Sequence, residues 1–256
     1  MSETGSPRVI SVVGDRFRDF AESVGAWSLS ELVAAITEGE FDEGPWPLRI
    51  LTGQGIDDYS GTYLLAALTR RGVEEAEVSL LRSEEVIADR HELHKGQAHN
   101  VLVANLTAET PEVFTADLRL HNDNELVVDA QTRPHVQGMV AVEAARQMFV
   151  AVTERFFLSR TPGRRYYLVI NAMNTTFKNF LFPVGATLRL TVLQADLDRP
   201  EQLVFSHEVV IEQAGRPAAV TRIDFAAIDL GVIDDKEQRR AKQTLASVLE
   251  NSAAAR

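Results

Sequence analysis

With 256 residues, 45% of them hydrophobic and 25% charged, the chain is long enough to bury the core of one large domain or two smaller ones. Its net charge of -11 leaves no basic excess to neutralise phosphates and argues against nonspecific nucleic-acid binding. The absence of cysteine removes disulfides, thiolate nucleophiles and cysteine metal sites together. The start, Met1-Ser2-Glu3-Thr4-Gly5-Ser6-Pro7, lacks the basic region and apolar core of a secretion signal, and no later run reaches membrane-spanning length, so a soluble cytoplasmic protein is expected.

The first part alternates strand and helix signals. Val9 to Val13 is a short β-branched run, and Phe17 to Ile36 reads as a helix with Ser28 or Ser30 as an internal cap near Trp27. Pro45-Trp46-Pro47 is a rigid connector. Leu48 to Thr52 reads as a buried strand, Asp58 to Arg71 as a helix closed by Gly72, and Ala76 to Leu81 as a third strand. This order predicts a small parallel α/β unit. Gly53-Gln54-Gly55 after a strand invites a nucleotide-binding reading, but the third glycine of a dinucleotide fingerprint is missing and a tight turn fits better.

Residues 83–95 are charged and polar and read as a solvated connector; His91 and His94 match no zinc spacing, and no metal site is expected. We place the domain boundary here, with an α/β unit and connector over residues 1–95, a second domain over 96–232 and a polar helix or tail over 233–256. In the second domain, Asn100 to Leu106 and Val113 to Leu120 read as strands before a turn at Asn122-Asp123-Asn124. A helix from Met139 to Leu158 is apolar all round and must be covered on most sides. Four strands follow, Tyr166 to Phe180, Leu188 to Ala195, Leu203 to Ile211 and Ala218 to Ile228, the last two joined by a hairpin turn at Ala214-Gly215-Arg216. One apolar helix beside about six long strands predicts an α+β fold in which a sheet wraps a central helix.

The polar interruption of that helix is the candidate site. Glu143, Arg146 and Gln147 are three and four residues apart, so they share a face, and an ionised carboxylate there must be paired, hydrogen-bonded or protonated. Arg146 is expected to be a poor partner for Glu143 within one turn unless both face a cleft. Gly138, without a Cβ, lets a ligand approach a helix N-terminus whose N–H groups favour a carbonyl oxygen or an anion. A satisfied structural cluster is the plain alternative.

Two stretches of this half resemble the hotdog superfamily. Pro134-His135-Val136-Gln137-Gly138-Met139 with Glu143-Ala144-Ala145-Arg146-Gln147 is similar to the hallmark of the A-factor biosynthesis hotdog family, usually His-Val-Pro-Gly-Met followed by Glu-Ala-Ala-Arg-Gln. Phe177 to Leu188 is similar to the strand, turn and strand that follow the helix in hotdog enzymes, and the likeness spans roughly residues 96 to 230. Gln137 departs from the family's proline, and the family's second hotdog repeat is absent from the N-terminal part, so a homodimer is implied. The related hydroxyacyl-carrier-protein dehydratases pair a helix carboxylate with a histidine; Glu143 matches the carboxylate, whereas Asp129 stands in the histidine's register.

The resemblance implies transfer of a β-ketoacyl group from an acyl carrier protein, or a CoA thioester, to a small acceptor such as dihydroxyacetone phosphate. No cofactor is implied beyond the phosphopantetheine that carries the substrate. Glu143, its pKa raised by burial, and His135 are the catalytic candidates, with the Gly138 and Met139 N–H groups polarising the carbonyl. Arg133 or Arg146 would hold phosphate or the pantetheine arm; Gln147, Asn174 and Lys178 complete the substrate-binding set. Arg160, Arg164 and Arg165 read as a solvated turn or as a dock for an acidic carrier protein. A drifted dehydratase or thioesterase and a noncatalytic acyl-binding or assembly module remain as alternatives.

Overall fold

The computed structural model describes residues 8–42, 44, 46–81, 85–129, 133–160 and 163–254. Pro45 of the connector, Ser83 and Glu84 of the charged segment, and Thr161 and Pro162 of the arginine-rich turn lie outside the described residues. Strands β1 (Arg8–Val13), β2 (Trp27–Ser28), β3 (Leu48–Thr52) and β4 (Val78–Leu81) form a parallel sheet in the order β2-β1-β3-β4. The helix expected over Phe17 to Ile36 is two helices, α1 (Arg18–Val24) and α2 (Leu29–Glu38). Gly25 ends the first, Trp27 and Ser28 then pair with β1, and a capping box restarts the second: Glu31 accepts from the Ser28 N–H at 3.0 Å and its hydroxyl at 2.6 Å. Ser30 is no cap; its N–H and hydroxyl donate to Asp15. Helix α3 (Asp58–Arg70), capped by Asp57, completes the unit.

The second sheet is antiparallel and has six strands: β5 (Val103–Ala108), β6 (Val113–Leu118), β7 (Tyr166–Phe177), β8 (Thr187–Asp196), β9 (Gln202–Gln213) and β10 (Arg216–Asp229). Their order is β5-β6-β8-β9-β10-β7. A short helix α4 (Glu125–Val128) precedes the central helix α5 (Gly138–Val152), which touches all six strands. This is the expected α+β arrangement, a hotdog sheet around a central helix with an N-terminal α/β unit. Five consecutive residues of α5, Met148 to Val152, are buried, as an all-round apolar helix requires. The helix widens into a π-helical turn, Thr153–Phe157, whose Phe156 and Phe157 pack on Phe114.

The two sheets are sewn together. Val13, Phe17, Phe20 and Ala21 of the N-terminal unit are buried in the same core as α5. Gln54 donates to Leu118 O and accepts from the Leu120 N–H, while its own N–H donates to Pro183 O. A Cβ at Gly53 would sit 2.6 Å from Pro183 O, so this close approach of two backbones requires glycine. The charged segment before β5 is not a purely solvated connector either: Ala88 and Leu93 are buried in the core, and Ile87 forms a bridge with Ala104. A final helix, α6 (Leu230–Ala254), packs its first turns on β7 and β10 through Leu230 and Ile233. Among the described residues no helix is long and apolar enough to cross a membrane.

Candidate functional site

The start of α5 is held by its neighbours rather than by a capping side chain. Val136 donates to Leu181 O at 2.8 Å, and Gln137, at the cap position, sends its side-chain amide instead to Leu126 O. His135 lies with its ring 4.8 Å from that of Phe180, and with Gly138, Phe177 and Leu181 it lines a cavity of about 80 Å³. A Cβ at Gly138 would stand 3.0 Å from the Phe177 ring, so glycine keeps this cavity open. Met139 is 56% exposed and Arg133 is exposed. Gly138 and Glu143 are five residues apart, about 140° around the helix, so the cavity and the Glu143 cluster occupy different faces of α5.

Four donors converge on Glu143, three on Oε1 and one on Oε2. Arg146 grips it bidentately, Nε to Oε2 at 2.7 Å and Nη2 to Oε1 at 2.9 Å. The expectation that Arg146 is a poor partner is therefore wrong: over one turn the planar guanidinium fork reaches back along the helix. Gln147 donates to Oε1 at 3.0 Å and, fully buried, also accepts from Leu102 N–H and donates to Asn100 O, both at 2.8 Å. The fourth donor is Lys95, whose Nζ lies 2.9 Å from Oε1. Burial acts to raise the Glu143 pKa, as anticipated, but the Arg146 and Gln147 hydrogen bonds, the Arg146 charge and the Lys95 bond outweigh it and hold the pKa at about 2. Glu143 is thus a charge at the centre of a salt-bridge cluster, not the elevated base that burial alone predicts.

Lys95 is the member of this cluster that sequence reasoning missed. It lay inside the charged stretch read as a connector, and the overlooked signal was Leu93, a lone leucine among His91, Glu92, His94 and Lys95 that plugs into the core with no exposed surface. His94 pairs with Glu154 at 3.0 Å, and Glu92 pairs with Arg155 at 2.7 Å, so the stretch is fastened along the outer side of α5 and its π-helical turn. A second missed residue is His207 on β9, fully buried with neither ring nitrogen partnered among the described residues. Phe157, Phe205 and Phe225 surround it, and burial pushes its pKa down to about 3. Its alternation with the inward-facing Phe205 and Val209 was the available signal.

The remaining candidates are dispersed. Asn174 and Lys178 are exposed at β7 and just beyond it, and do not join Glu143 or His135. Arg160 stands over the Phe157 ring, while Arg164 bonds Pro200 O and Asp229. Arg164 and Arg165 border a groove of about 570 Å³ with Arg155, Glu92 and Glu154. The Gly53 turn faces another cavity, of about 380 Å³, bordered by Glu85, Asp117 and Glu212, carboxylates that would repel a phosphate. Among the described residues no group of histidines and carboxylates is arranged to hold a metal ion.

A six-stranded antiparallel sheet wrapped on a helix that opens at Gly138 and carries Glu143, Arg146 and Gln147 defines a hotdog protein. Residues 77–229 match the A-factor biosynthesis hotdog domain (AfsA), and the chain belongs to that family. No curated protein matches it. Among solved structures it is similar to a mutant thioesterase from Pseudomonas aeruginosa, at 18% identity and a TM-score of 0.40 over 56% of this chain and 95% of that one. It is also similar to a thioesterase from Haemophilus influenzae, at 16% identity and a TM-score of 0.38 over 53% and 84% of the two chains. A third is AziG from S. sahachiroi, at 21% identity and a TM-score of 0.34 over 49% and 92%.

Proposed function

We propose that this protein handles acyl thioesters, transferring a β-ketoacyl group from an acyl carrier protein to a small hydroxylated acceptor such as dihydroxyacetone phosphate, in the making of a butyrolactone-type signal or another secondary metabolite. In this transfer the acceptor's hydroxyl oxygen bonds to the thioester carbonyl carbon, the carbon–sulfur bond breaks, and the hydroxyl proton ends on the departing thiol. The observation that carries the reading is the cavity where His135 stands beside the helix start at Gly138. His135 moves the proton, and the N–H groups of Gly138 and Met139, which no side chain caps, polarise the carbonyl. Phe177 and Phe180 offer apolar surface to the acyl chain, Arg133 and Arg146 bind phosphate, and the Arg160, Arg164 and Arg165 rim receives the acidic carrier.

Family membership supports the acyl chemistry, and a coenzyme A thioester would serve as donor by the same steps. The twelve-residue strand β7 forms an edge of the sheet with Tyr167, Ile170 and Phe177 partly exposed, which supports pairing with a second copy into a homodimer. The second reading, a noncatalytic acyl-binding module, is favoured by the pairing of Glu143, which accepts three hydrogen bonds on Oε1 and one on Oε2 from within the chain. Incubation with a 3-oxoacyl carrier protein, with and without dihydroxyacetone phosphate, followed by intact mass, separates the two. Acceptor-dependent loss of the acyl group, abolished by His135→Ala, is the expected result. Tight binding without acyl loss would establish the second reading instead, and loss without acceptor would mean hydrolysis.

A further inference from the structure

We propose that residues 89–95 form a latch over the Glu143 face of α5, and that Lys95 must withdraw before Arg146 of this cluster can meet a ligand. The inference rests on the reading of α5 as the acyl-thioester helix, with the acyl carbonyl in the His135 cavity and the ligand's phosphate or pantetheine arm reaching Arg146 on the neighbouring face. Of the groups that face Glu143, Arg146 and Gln147 belong to α5 itself, and Gln147 is further fixed to Asn100 and Leu102. Lys95 is the donor that arrives from a separate segment, and its side chain retains 23% exposure. It is the partner whose backbone lies outside the helix, so it can leave as its own segment moves.

The segment is built to move as a unit. Its backbone bonds mostly to itself, with Leu93 N–H donating to Asp89 O, His94 N–H to His91 O and Lys95 N–H to Arg90 O, while the Arg90 guanidinium closes the knot on Gly96 O. His94 takes the left-handed backbone, φ 54°, that bends the chain back toward α5. On one side Ala88 is pinned by its N–H to Val103 O; on the other lies Gly96, with no atom near its Cβ position, a site for a hinge. What holds the knot down is the Leu93 plug, two ion pairs, Glu92 to Arg155 and Lys95 to Glu143, and two hydrogen bonds, one between His94 and Glu154 and a long one of 3.5 Å from Arg146 to Leu93 O. The Glu92 and His94 contacts keep a quarter to nearly half of their surface in water, where such contacts are weak singly; the Lys95 contact is more enclosed and is the one that decides release.

The test uses the full chain and the non-cleavable thioether S-(3-oxooctyl)-coenzyme A as probe. Titration calorimetry on the native protein, Lys95→Met and Lys95→Arg is paired with hydrogen exchange at the amides of Leu93, His94 and Lys95. Loosening the latch removes a conformational cost, so Lys95→Met should bind the probe about tenfold more tightly, with Lys95→Arg close to native. In the native protein the probe should speed exchange at these three amides. Equal affinity in all three proteins with unchanged exchange overturns the latch and leaves the acyl-thioester reading standing. Weaker binding by Lys95→Met also overturns it, making Lys95 a ligand contact. No binding by any of the three removes the acyl-thioester reading and the latch with it.

Discussion

Glu143 on α5 and His207 on β9 are both ionisable groups drawn into the same folded core, and their surroundings differ in every respect. Glu143 keeps its charge because four donors replace the water it lost; His207 is given no donor or acceptor among the described residues and stays neutral among three phenylalanine rings. The donors within reach make the difference. Arg146 and Gln147 lie on the same helix as Glu143, and the region from Leu93 to Leu102 adds Lys95 and two backbone groups that fix Gln147, whereas β9, β10 and the π-helical turn bring only apolar rings to His207. Burial alone therefore does not decide whether a group is charged; the donors that face it do.

The largest expected effect is at Gln147. Gln147→Leu strands the Leu102 N–H and the Asn100 carbonyl in the core and should cost about 3 kcal/mol in urea unfolding. A cost near zero would show that the Glu143 side of the comparison does not depend on its backbone partners. Next comes acid. The folded Glu143 pKa of about 2 lies below the ordinary value of 4.5, so its contribution is fully present above pH 4.5 and is lost as pH falls toward 2. With its partial exposure this amounts to about 2–3 kcal/mol, and Glu143→Gln should flatten the stability curve across that window.

His207 acts over a higher range. Its folded pKa of about 3 lies below the ordinary value of 6.5, so the unfolded chain takes up the proton first and stability falls as pH drops from 6.5 toward 3. At pH 5 the loss is about 2 kcal/mol, which His207→Leu should recover, seen as a larger gain in urea midpoint over the native protein at about pH 5 than at about pH 8. A variant whose gain is the same at both values would mean that His207 has a partner and that the contrast with Glu143 is smaller than its geometry indicates. The smallest effect on stability is at Gly138. Gly138→Ala meets the Phe177 ring at 3.0 Å, but that residue is 56% exposed and its ring can shift, so a cost under about 1 kcal/mol is expected alongside weaker probe binding as the cavity closes.

Much of this molecule was legible in one dimension. The apolar periodicity of α5, the alternating strands, the Ala214-Gly215 hairpin and the parallel α/β unit follow from local patterns, and the resemblance between the His135 to Gln147 stretch and one family's hallmark agrees with the domain match over residues 77–229. The splitting of the first helix at Gly25 was missed because a two-residue pairing with β1 is a long-range event that leaves no periodicity. The face shared by Glu143, Arg146 and Gln147 was also plain from their spacing.

What covers that face was not. A run such as Asp89-Arg90-His91-Glu92-Leu93-His94-Lys95 has the composition of a solvated loop, and only the folded chain places Leu93 in the core and thereby Lys95 on Glu143. The sequence by itself determined the elements, the family and the polar residues on the helix, because propensity and side-chain period act between near neighbours. Tertiary structure decided the burial of Glu143 and His207 and what completes their surroundings: Glu143 is held charged mainly by Arg146 and Gln147 on its own helix, with Lys95 added from 48 residues away, whereas His207 meets only rings from neighbouring strands and the π-helical turn.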